Sequence, residues 1–257
     1  MNLPQEALAV TKDVHLPEIW PSKGAVQYEG VSARYAPGMD PVLRNVSFTV
    51  NPNERVGIVG RTGAAKSSLA LTLLRGLEAE SGHTRIDNVD TKEVGLRDLR
   101  RRLAIVPQDP TLFAGTLRFN LDPFSEQSDN EMLAALKSRQ LVCIARSLLK
   151  TPKIVILDET TASIDYNTDL KIQDYVRKLD STVIITAHRL RTVIDYDRIV
   201  VLDGNEVKEC DHPWRLLQNK NGIFHGMCKA ASNGENLFSL AEAAWHSDRR
   251  IRLLNRN

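Results

Sequence analysis

The residues from Gly60 to Ser67 have types and a spacing that suit the binding of phosphate groups. They read Gly-Arg-Thr-Gly-Ala-Ala-Lys-Ser, which fits the pattern G-x-x-x-x-G-K-[ST] except that Ala65 replaces its second glycine. In such a loop, backbone N–H groups surround the phosphates of a nucleotide, the lysine reaches the β- and γ-phosphates, and the last hydroxyl contributes to a Mg²⁺ site. Lys66 and Ser67 therefore predict a site for a nucleotide with its Mg²⁺.

A loop of this kind needs a strand before it and a helix after it, and the sequence predicts both. Residues Arg55–Val59 are a short apolar run that is typical of a buried parallel strand. From Ser67 to Leu77, leucines recur at helical spacing, which predicts a helix that begins at the loop. The alternative is an ordinary glycine-rich turn between a strand and a helix of some other α/β protein.

Two adjacent carboxylates follow a second apolar run. Residues 154–159 read Ile-Val-Ile-Leu-Asp-Glu, and open parallel sheets bind their ligands where the strands end. Asp158 is predicted to hold the Mg²⁺ shell, and Glu159 to polarise the water that attacks the γ-phosphate. The two neighbours thus have different predicted roles in nucleotide hydrolysis.

A third strand is predicted at Thr182–Thr186, and Ala187 and His188 follow it directly. Taken alone, a histidine in this position is more often structural than catalytic. The strand ends at Gly60 and Asp158 change that balance, because all three strands are expected to end at one edge of the sheet. We therefore interpret His188 as a catalytic candidate.

Longer stretches of the sequence resemble a known family. Besides Gly-Arg-Thr-Gly at the loop, these stretches are Pro107-Gln108-Asp109-Pro110, Leu112-Phe113-Ala114-Gly115-Thr116 and Asn120-Leu121-Asp122-Pro123-Phe124. They resemble the nucleotide-binding domain of ATP-binding-cassette (ABC) transporters, in particular the second such domain of the C subfamily, which includes multidrug-resistance-associated transporters. The resemblance implies an α/β P-loop core sheet with an antiparallel β subdomain and a truncated helical subdomain.

The resemblance also implies roles for individual residues. Tyr35 would stack on adenine, Gln108 would be the Q-loop residue and contribute to the metal site, and residues 163–165 would form the D-loop. Glu159 would be the catalytic carboxylate and His188 the switch histidine. The candidate ATP-binding residues are Tyr35, Gly60, Arg61, Thr62, Gly63, Ala64, Ala65, Lys66, Ser67 and Ser68, and the candidate Mg²⁺-binding residues are Ser67, Gln108 and Asp158.

One part of the family pattern is missing. These domains carry a helical subdomain that ends in a Leu-Ser-Gly-Gly-Gln-like signature, but here residues 129–137 run through Ser138 straight into Arg139-Gln140. In this family, the signature of one domain contacts the γ-phosphate bound to the phosphate loop of its partner. This chain therefore has a phosphate loop of its own but no signature for the nucleotide of a partner domain. We expect the two helix stubs to merge into one helix over 130–150, with residues 116–136 displaced; a sharp turn at Ser138 is the alternative.

The alanine at position 65 is the second departure. If residue 65 has a positive φ, its methyl group costs about 1–2 kcal/mol of backbone strain. Since about 1.4 kcal/mol is a tenfold change in affinity, ATP binding would be weakened about ten- to thirtyfold or abolished.

Composition predicts one ordinary globular domain. The chain has 257 residues, 42% hydrophobic and 26% charged, with a net charge of +2 that gives no reason to expect a nucleic-acid partner. Its three cysteines, Cys143, Cys210 and Cys228, form no C-x-x-C pair and predict buried or idle thiols. No apolar run approaches the roughly 20 residues of a membrane helix, and the polar start does not read as a signal peptide.

The predicted organisation has three parts. Residues 1–23 resemble the linker that joins the last membrane helix to the second cassette, residues 24–232 are the nucleotide-binding domain, and residues 233–257 are a helical tail. Short strands are predicted at Ala25–Tyr28, Ser32–Tyr35 and Asn45–Val50, a hairpin at Asp197–Leu202 with Glu206–Cys210, and helices at His212–Met227 and Glu235–Leu254.

The sequence thus favours an ATP-hydrolysing module of an ABC transporter at the cytoplasmic face of a membrane, where it would meet a membrane domain and a partner nucleotide-binding domain. As an isolated chain it is expected to be soluble, cytoplasmic and inactive. The alternative is a non-catalytic folded remnant that binds ATP weakly or not at all. DNA-repair ATPases of the same superfamily are disfavoured, because the stretch from Gln108 to Asp158 has no room for their coiled coil.

Overall fold

The computed structural model of the chain describes residues 16–17, 19–61, 63–106, 116, 118–119, 152–158, 173–231 and 234–254. Thr62, Gln108, Glu159, Cys143, the D-loop at 163–165 and the junction at Ser138 lie outside these residues. The predictions made for them, including the merged helix over 130–150, stay predictions.

The described residues form ten strands in two sheets. The strands are β1 Val26–Ala33, β2 Leu43–Val50, β3 Arg55–Gly60, β4 Ser81–Ile86, β5 Val89–Asp90, β6 Ala104–Val106, β7 Ile154–Asp158, β8 Thr182–Thr186, β9 Arg198–Asp203 and β10 Glu206–Asp211. The helices with known bounds are α1 Lys66–Leu73, α2 Leu96–Arg102, α3 Leu190–Val193, α4 Pro213–Gln218, α5 Ile223–Ala230 and α6 Gly234–Leu254. A 3₁₀ helix covers Thr91–Glu93, and residues 173–177 are also helical.

The larger sheet has the order β10-β9-β3-β8-β7-β6, and all its neighbours are parallel except β9 with β10. Its central strands are buried along almost their whole length: all five residues of β8 are buried, as are the four apolar residues Ile154–Leu157 of β7. Such runs are what a parallel sheet covered on both faces requires. The strands predicted at residues 55–59 and 182–186, the predicted strand at 154–159 as far as Asp158, and the α/β fold class are confirmed.

The smaller sheet is antiparallel, with the order β2-β1-β4-β5. The sequence predicted separate strands at Ala25–Tyr28 and Ser32–Tyr35, and this was wrong because one continuous strand, β1, joins residues 26–28 of the first to residues 32–33 of the second. Its pairing with β2 shifts register between Tyr28 and Val31, where Gly30 has a φ of 62°. The irregularity around Gly30 keeps the strand continuous and leaves Tyr35 in the loop that follows it.

Two predicted helices are shorter in the structure. α1 ends at Leu73 rather than Leu77, because Arg75 adopts a φ of 51° and Gly76 N–H donates to Leu71 O at 2.9 Å, a common way to end a helix. The helix predicted at His212–Met227 is instead two helices, α4 and α5.

Glu209 of β10 explains that break. Its carboxylate accepts the Ile223 and Phe224 N–H groups at 2.7 and 2.9 Å, so a new helix begins there. A Cβ at Gly222 would lie 2.8 Å from Glu209 Oε1, so the position suits glycine. The β9–β10 hairpin and the helix predicted at residues 235–254 are confirmed.

The segment before β1 packs onto the smaller sheet. Trp20 is only 3% exposed, and its Nε1 donates to Ile86 O at 3.1 Å. The carboxylate of Asp87 accepts the backbone N–H groups of residues 22–25 at 2.7–3.2 Å. The last residues of the predicted linker are thus fixed to the domain, and the boundary at residue 23 stays a prediction.

The two described cysteines differ. Cys228 is buried, and burial raises the pKa of its thiol to about 12, which fits an idle thiol. Cys210 lies at the surface on the edge strand β10, but partial desolvation raises the pKa of its thiol, so this cysteine also fits the prediction of a buried or idle thiol.

Candidate functional site

The candidate site lies at the carboxyl ends of three adjacent parallel strands. In the central sheet, β8 lies between β3 and β7, so that Thr186 stands opposite Ile58 on one side and Asp158 on the other. Gly60 ends β3 two residues beyond Ile58. The phosphate loop, Asp158 and the residues after β8 therefore meet at one sheet edge, as the sequence predicted.

The start of the loop is tightly packed against the neighbouring strand. A Cβ on Gly60 would lie 2.4 Å from Leu202 O and 3.0 Å from the Cβ of Ala64, so only glycine fits this position. Gly63 has a φ of 83°, a conformation that residues with a Cβ rarely adopt. These two glycines let the chain turn back over the end of β3 toward α1.

Lys66 is the cation of the site. Its side chain is almost completely buried, with a relative exposure of 4%. The Nζ atom donates to Gly60 O at 3.1 Å and to Arg61 O at 3.3 Å, so the ammonium lies inside the curve of the loop. The loop therefore presents a positive charge that suits phosphate.

Three oxygen-bearing side chains converge beside the loop. Ser67 Oγ donates to Asp158 Oδ1 at 3.0 Å, and Thr186 Oγ1 also donates to Asp158 Oδ1. Ser67 comes from the first turn of α1, while the other two end their strands. Hydroxyl and carboxylate oxygens are the donors that Mg²⁺ prefers, and Mg²⁺ bound with a nucleotide takes only one or two protein ligands. The residues present fit such an ion.

Ala65 has the backbone conformation that makes it unusual. It is the residue just before α1, with φ 59° and ψ 26°, which is the left-handed region. Residue 65 thus has the positive φ on which the predicted strain depended. In this conformation an alanine costs about 1 kcal/mol relative to glycine. The strain acts at the end of the loop that must approach phosphate.

The comparisons with known proteins point to one family. Residues 43–139 match the family model described as ABC transporter. The chain is 42% identical to the ATP-dependent bile acid permease of Saccharomyces cerevisiae over 297 aligned residues. This alignment covers 95% of the chain and 18% of the permease. It is 44% identical over 257 residues to ATP-binding cassette sub-family C member 3 of Mus musculus, which covers 88% of this chain and 17% of that protein.

A solved structure agrees with the sequence relatives. The structure of a bacterial Atm1-family ABC exporter with ATP bound superposes with a TM-score of 0.78 and 31% identity, over 86% of this chain and 45% of that chain. The chain carries an ABC transporter nucleotide-binding domain. Its homologues are C-subfamily transporters, and it spans less than a fifth of the length of the two named above.

Two further candidates of this nucleotide-binding domain lie near the loop. Tyr35 is 56% exposed, and its hydroxyl is 2.8 Å from Ser68 Oγ in the first turn of α1. His188 follows β8 by two residues and is exposed at the same sheet edge as Asp158. Both therefore lie where a nucleotide on the loop could meet them.

Thr186 is a site residue that the sequence reasoning missed. It was interpreted only as the last residue of a buried strand, yet its hydroxyl bonds to the Asp158 carboxylate. A hydroxyl at the end of an otherwise apolar strand, next to a histidine, is the signal that points to it. Without the register between β7 and β8, nothing identifies its partner.

Among the described residues, no group of three or more His, Cys, Asp or Glu side chains is arranged to hold a metal ion. Among the same residues, no helix has the length and apolar character needed to cross a membrane.

Proposed function

We propose that the chain is the ATP-hydrolysing module of an ABC exporter, impaired at Ala65 and by the lack of a signature. The observation that carries the proposal is the placement of the buried Lys66 ammonium inside the loop, next to the Ser67 hydroxyl bonded to Asp158. This combination supplies a cation for phosphate and oxygens for Mg²⁺ at one sheet edge.

Each residue has a proposed task in converting ATP to ADP and phosphate. Lys66 holds the β- and γ-phosphates and neutralises the charge that develops in the transition state. Ser67 and Asp158 hold the metal, together with Gln108. When bound, Mg²⁺ withdraws charge from the β- and γ-oxygens.

The remaining tasks concern the attacking water, the γ-phosphate and the adenine ring. Glu159 accepts a proton from the attacking water and orients it, and His188 contacts the γ-phosphate. Tyr35 lies beside α1 and packs against adenine once its hydroxyl leaves Ser68.

Two observations support impairment. Ala65 has φ 59° at a position where the loop favours glycine. The alignment with the yeast permease spans 297 residues, more than the 257 of this chain, so that relative has residues with no counterpart here. A lost signature segment near Ser138 would produce such a difference.

The proposed partners follow from the relatives, which are full-length transporters. We propose that the chain works against a membrane domain and beside a second nucleotide-binding domain, at the cytoplasmic face of a membrane. The partner domain would then have to supply a signature for any nucleotide bound to Lys66 and Ser67, since this chain returns none.

ATP turnover tests the proposal. The purified full chain should bind Mg-ATP weakly and show no ATPase activity above background at saturating nucleotide, because a homodimer has no signature. Adding an intact C-subfamily nucleotide-binding domain whose own catalytic glutamate is replaced should restore turnover. Glu159→Gln in the chain should abolish the restored activity, and turnover that persists in this variant would contradict the assignment of Glu159.

The second candidate function is a non-catalytic remnant that keeps the fold. The strained Ala65 favours it, since weak or absent ATP binding is its main expectation. If neither the chain nor its Ala65→Gly variant binds Mg-ATP in calorimetric titrations, the remnant is the better description. ATP-dependent turnover of the chain alone would contradict both the impairment and the remnant.

A further inference from the structure

We propose that Thr186 is a positioning residue that fixes the Asp158 carboxylate for the Mg-nucleotide. The inference rests on the proposed function, since it assumes that Asp158 serves the metal. Its basis is the hydrogen bond from Thr186 Oγ1 to Asp158 Oδ1, made at the sheet edge where the loop ends.

The backbone sets this contact. Asp158 and Thr186 are direct partners in the parallel pairing of β7 and β8, so their side chains leave the sheet side by side. Thr186 has a relative exposure of 0%, and as a β-branched residue it has a restricted χ1 angle. The hydroxyl is therefore held in place by the strand, and the carboxylate has to come to it.

Asp158 Oδ1 accepts a second hydrogen bond, from Ser67 Oγ at 3.0 Å. Two hydroxyl donors on one oxygen restrict rotation about the Cβ–Cγ bond of Asp158, and hydrogen bonds to a carboxylate are stronger than those between neutral groups. Oδ2 takes part in neither bond. The pair of donors thus orders the carboxylate from both sides, with Thr186 on the strand and Ser67 on the helix.

The hydroxyl groups of Ser67 and Thr186 differ in their further roles. In the proposed function, Ser67 is itself a metal ligand, so its hydroxyl serves the ion as well as Asp158. Thr186 belongs to the sheet rather than to the loop. Its hydrogen bond is therefore the one that keeps Asp158 oriented when the loop rearranges around a nucleotide. Loss of this hydroxyl should weaken metal-dependent binding more than binding of the nucleotide alone.

The same strand offers a matched control. Thr182, at the other end of β8, is also fully buried, and its hydroxyl donates to Gly24 O at 2.7 Å and accepts the Asn53 N–H at 3.0 Å. Thr182→Val removes a buried hydroxyl from β8 without touching the site. A merely structural role for Thr186 would make the two valine variants behave alike.

The experiment uses the full chain carrying Ala65→Gly, with Thr186→Val, Thr186→Ser or Thr182→Val added. ATP affinity is measured by calorimetry with Mg²⁺ and again with EDTA. We expect Thr186→Val to weaken Mg-ATP binding about tenfold and metal-free binding less than about twofold. Thr186→Ser should restore most of the loss, and Thr182→Val should lower the Tm while leaving the ratio of the two affinities unchanged.

A loss from Thr186→Val that is equal with Mg²⁺ and with EDTA would overturn the inference, as would a Thr182→Val variant with the same profile. A double-mutant cycle of Thr186→Val with Asp158→Asn, followed by thermal unfolding without nucleotide, tests the contact itself. Coupled shifts in Tm support it, and additive shifts overturn it. If no form of the chain binds ATP, the proposed function fails, while this cycle still decides whether Thr186 holds Asp158.

Discussion

The two ends of the parallel strands carry polar groups that are arranged in opposite ways. At the amino ends, which begin with Arg55, Thr182 and Arg198, charged side chains pair with one another. At the carboxyl ends, the charged side chain of Lys66 bonds to neutral main-chain carbonyls. Among the described residues, the amino edge thus carries pairs of opposite charges, while the carboxyl edge carries an ammonium enclosed by the loop.

The pairs at the amino edge are specific. Arg55 Nε lies 3.3 Å from Asp197 Oδ2, and the Arg55 N–H donates to the same oxygen at 2.8 Å. Burial has the largest single effect on the Arg55 guanidinium and lowers its pKa, but Asp197, Asp195 and Tyr196 together raise that pKa by more, so the net pKa is raised. Arg198 pairs with Glu54 at 2.6 Å. These charges are satisfied within the fold and stabilise it.

A cavity of about 610 Å³ also lies at the amino edge, lined in part by Glu54, Arg198, His212 and Trp245. Its size alone would make it attractive as a binding site. Its charges already have partners, however: Arg198 faces Glu54, and Arg215 lies between Asp211 and the Trp245 ring. The two edges therefore differ in the arrangement of their charges, and the cavity at the amino edge does not by its volume indicate a binding site.

The largest expected effect comes from Lys66→Met. Removing the ammonium should weaken Mg-ATP binding by at least about a hundredfold, because the loop loses the buried positive charge that lies inside its curve. The Tm should stay the same or rise, since a buried cation is replaced by an apolar side chain. Calorimetric titration with thermal unfolding checks both, and a parallel loss of fold and binding would break the contrast between the two edges.

Ala65→Gly should have the next largest effect and the opposite sign. Relief of the left-handed strain, together with closer approach of the backbone to phosphate, should tighten Mg-ATP binding by at least about tenfold. Ala64→Gly is the matched control, because Ala64 does not have a positive φ and its buried methyl packs beside Gly60. Equal affinities of the parent and Ala65→Gly chains would show that residue 65 does not limit binding.

Arg55→Met should destabilise the domain by about 1–2 kcal/mol. The loss is appreciable because the side chains of Arg55 and Asp197 are only about a quarter exposed. It is limited because the Asp197 carboxylate still accepts the backbone N–H of residue 55. Mg-ATP affinity should not change. Denaturant unfolding and calorimetry on the same samples test this. A change in affinity of more than about threefold would mean that the amino edge contributes to the site.

The smallest effect is expected for Lys153→Met at the same edge. Its partner Asp180 lies 3.4 Å away and both side chains are well exposed, at 39% and 79%. Exposed pairs of this kind contribute about 0–1 kcal/mol, so unfolding should shift by less than about 0.5 kcal/mol and ATP affinity should be unchanged. A larger destabilisation would show that ion pairing at the amino edge acts as a network.

Much of the fold was predictable because its signals are local. The strands β3, β7 and β8 come from short, mainly apolar runs, and the predicted hairpin of residues 197–202 with 206–210 has its turn at Gly204. The break between α4 and α5 was not predictable, because it depends on the Glu209 carboxylate of a different element. A helical pattern carries no information about a side chain that caps it from another strand.

For the site, the phosphate-loop motif, its changed glycine and the carboxylate at residue 158 could be read from the sequence, because motif and strand period are properties of neighbouring residues. The positive φ of Ala65, the burial of Lys66 inside the loop and the hydrogen bond from Thr186 to Asp158 became visible only in the folded chain. Thr186 and Asp158 are 28 residues apart and belong to strands whose register is set by pairing across the sheet. Contacts of that kind exist only once the chain has folded.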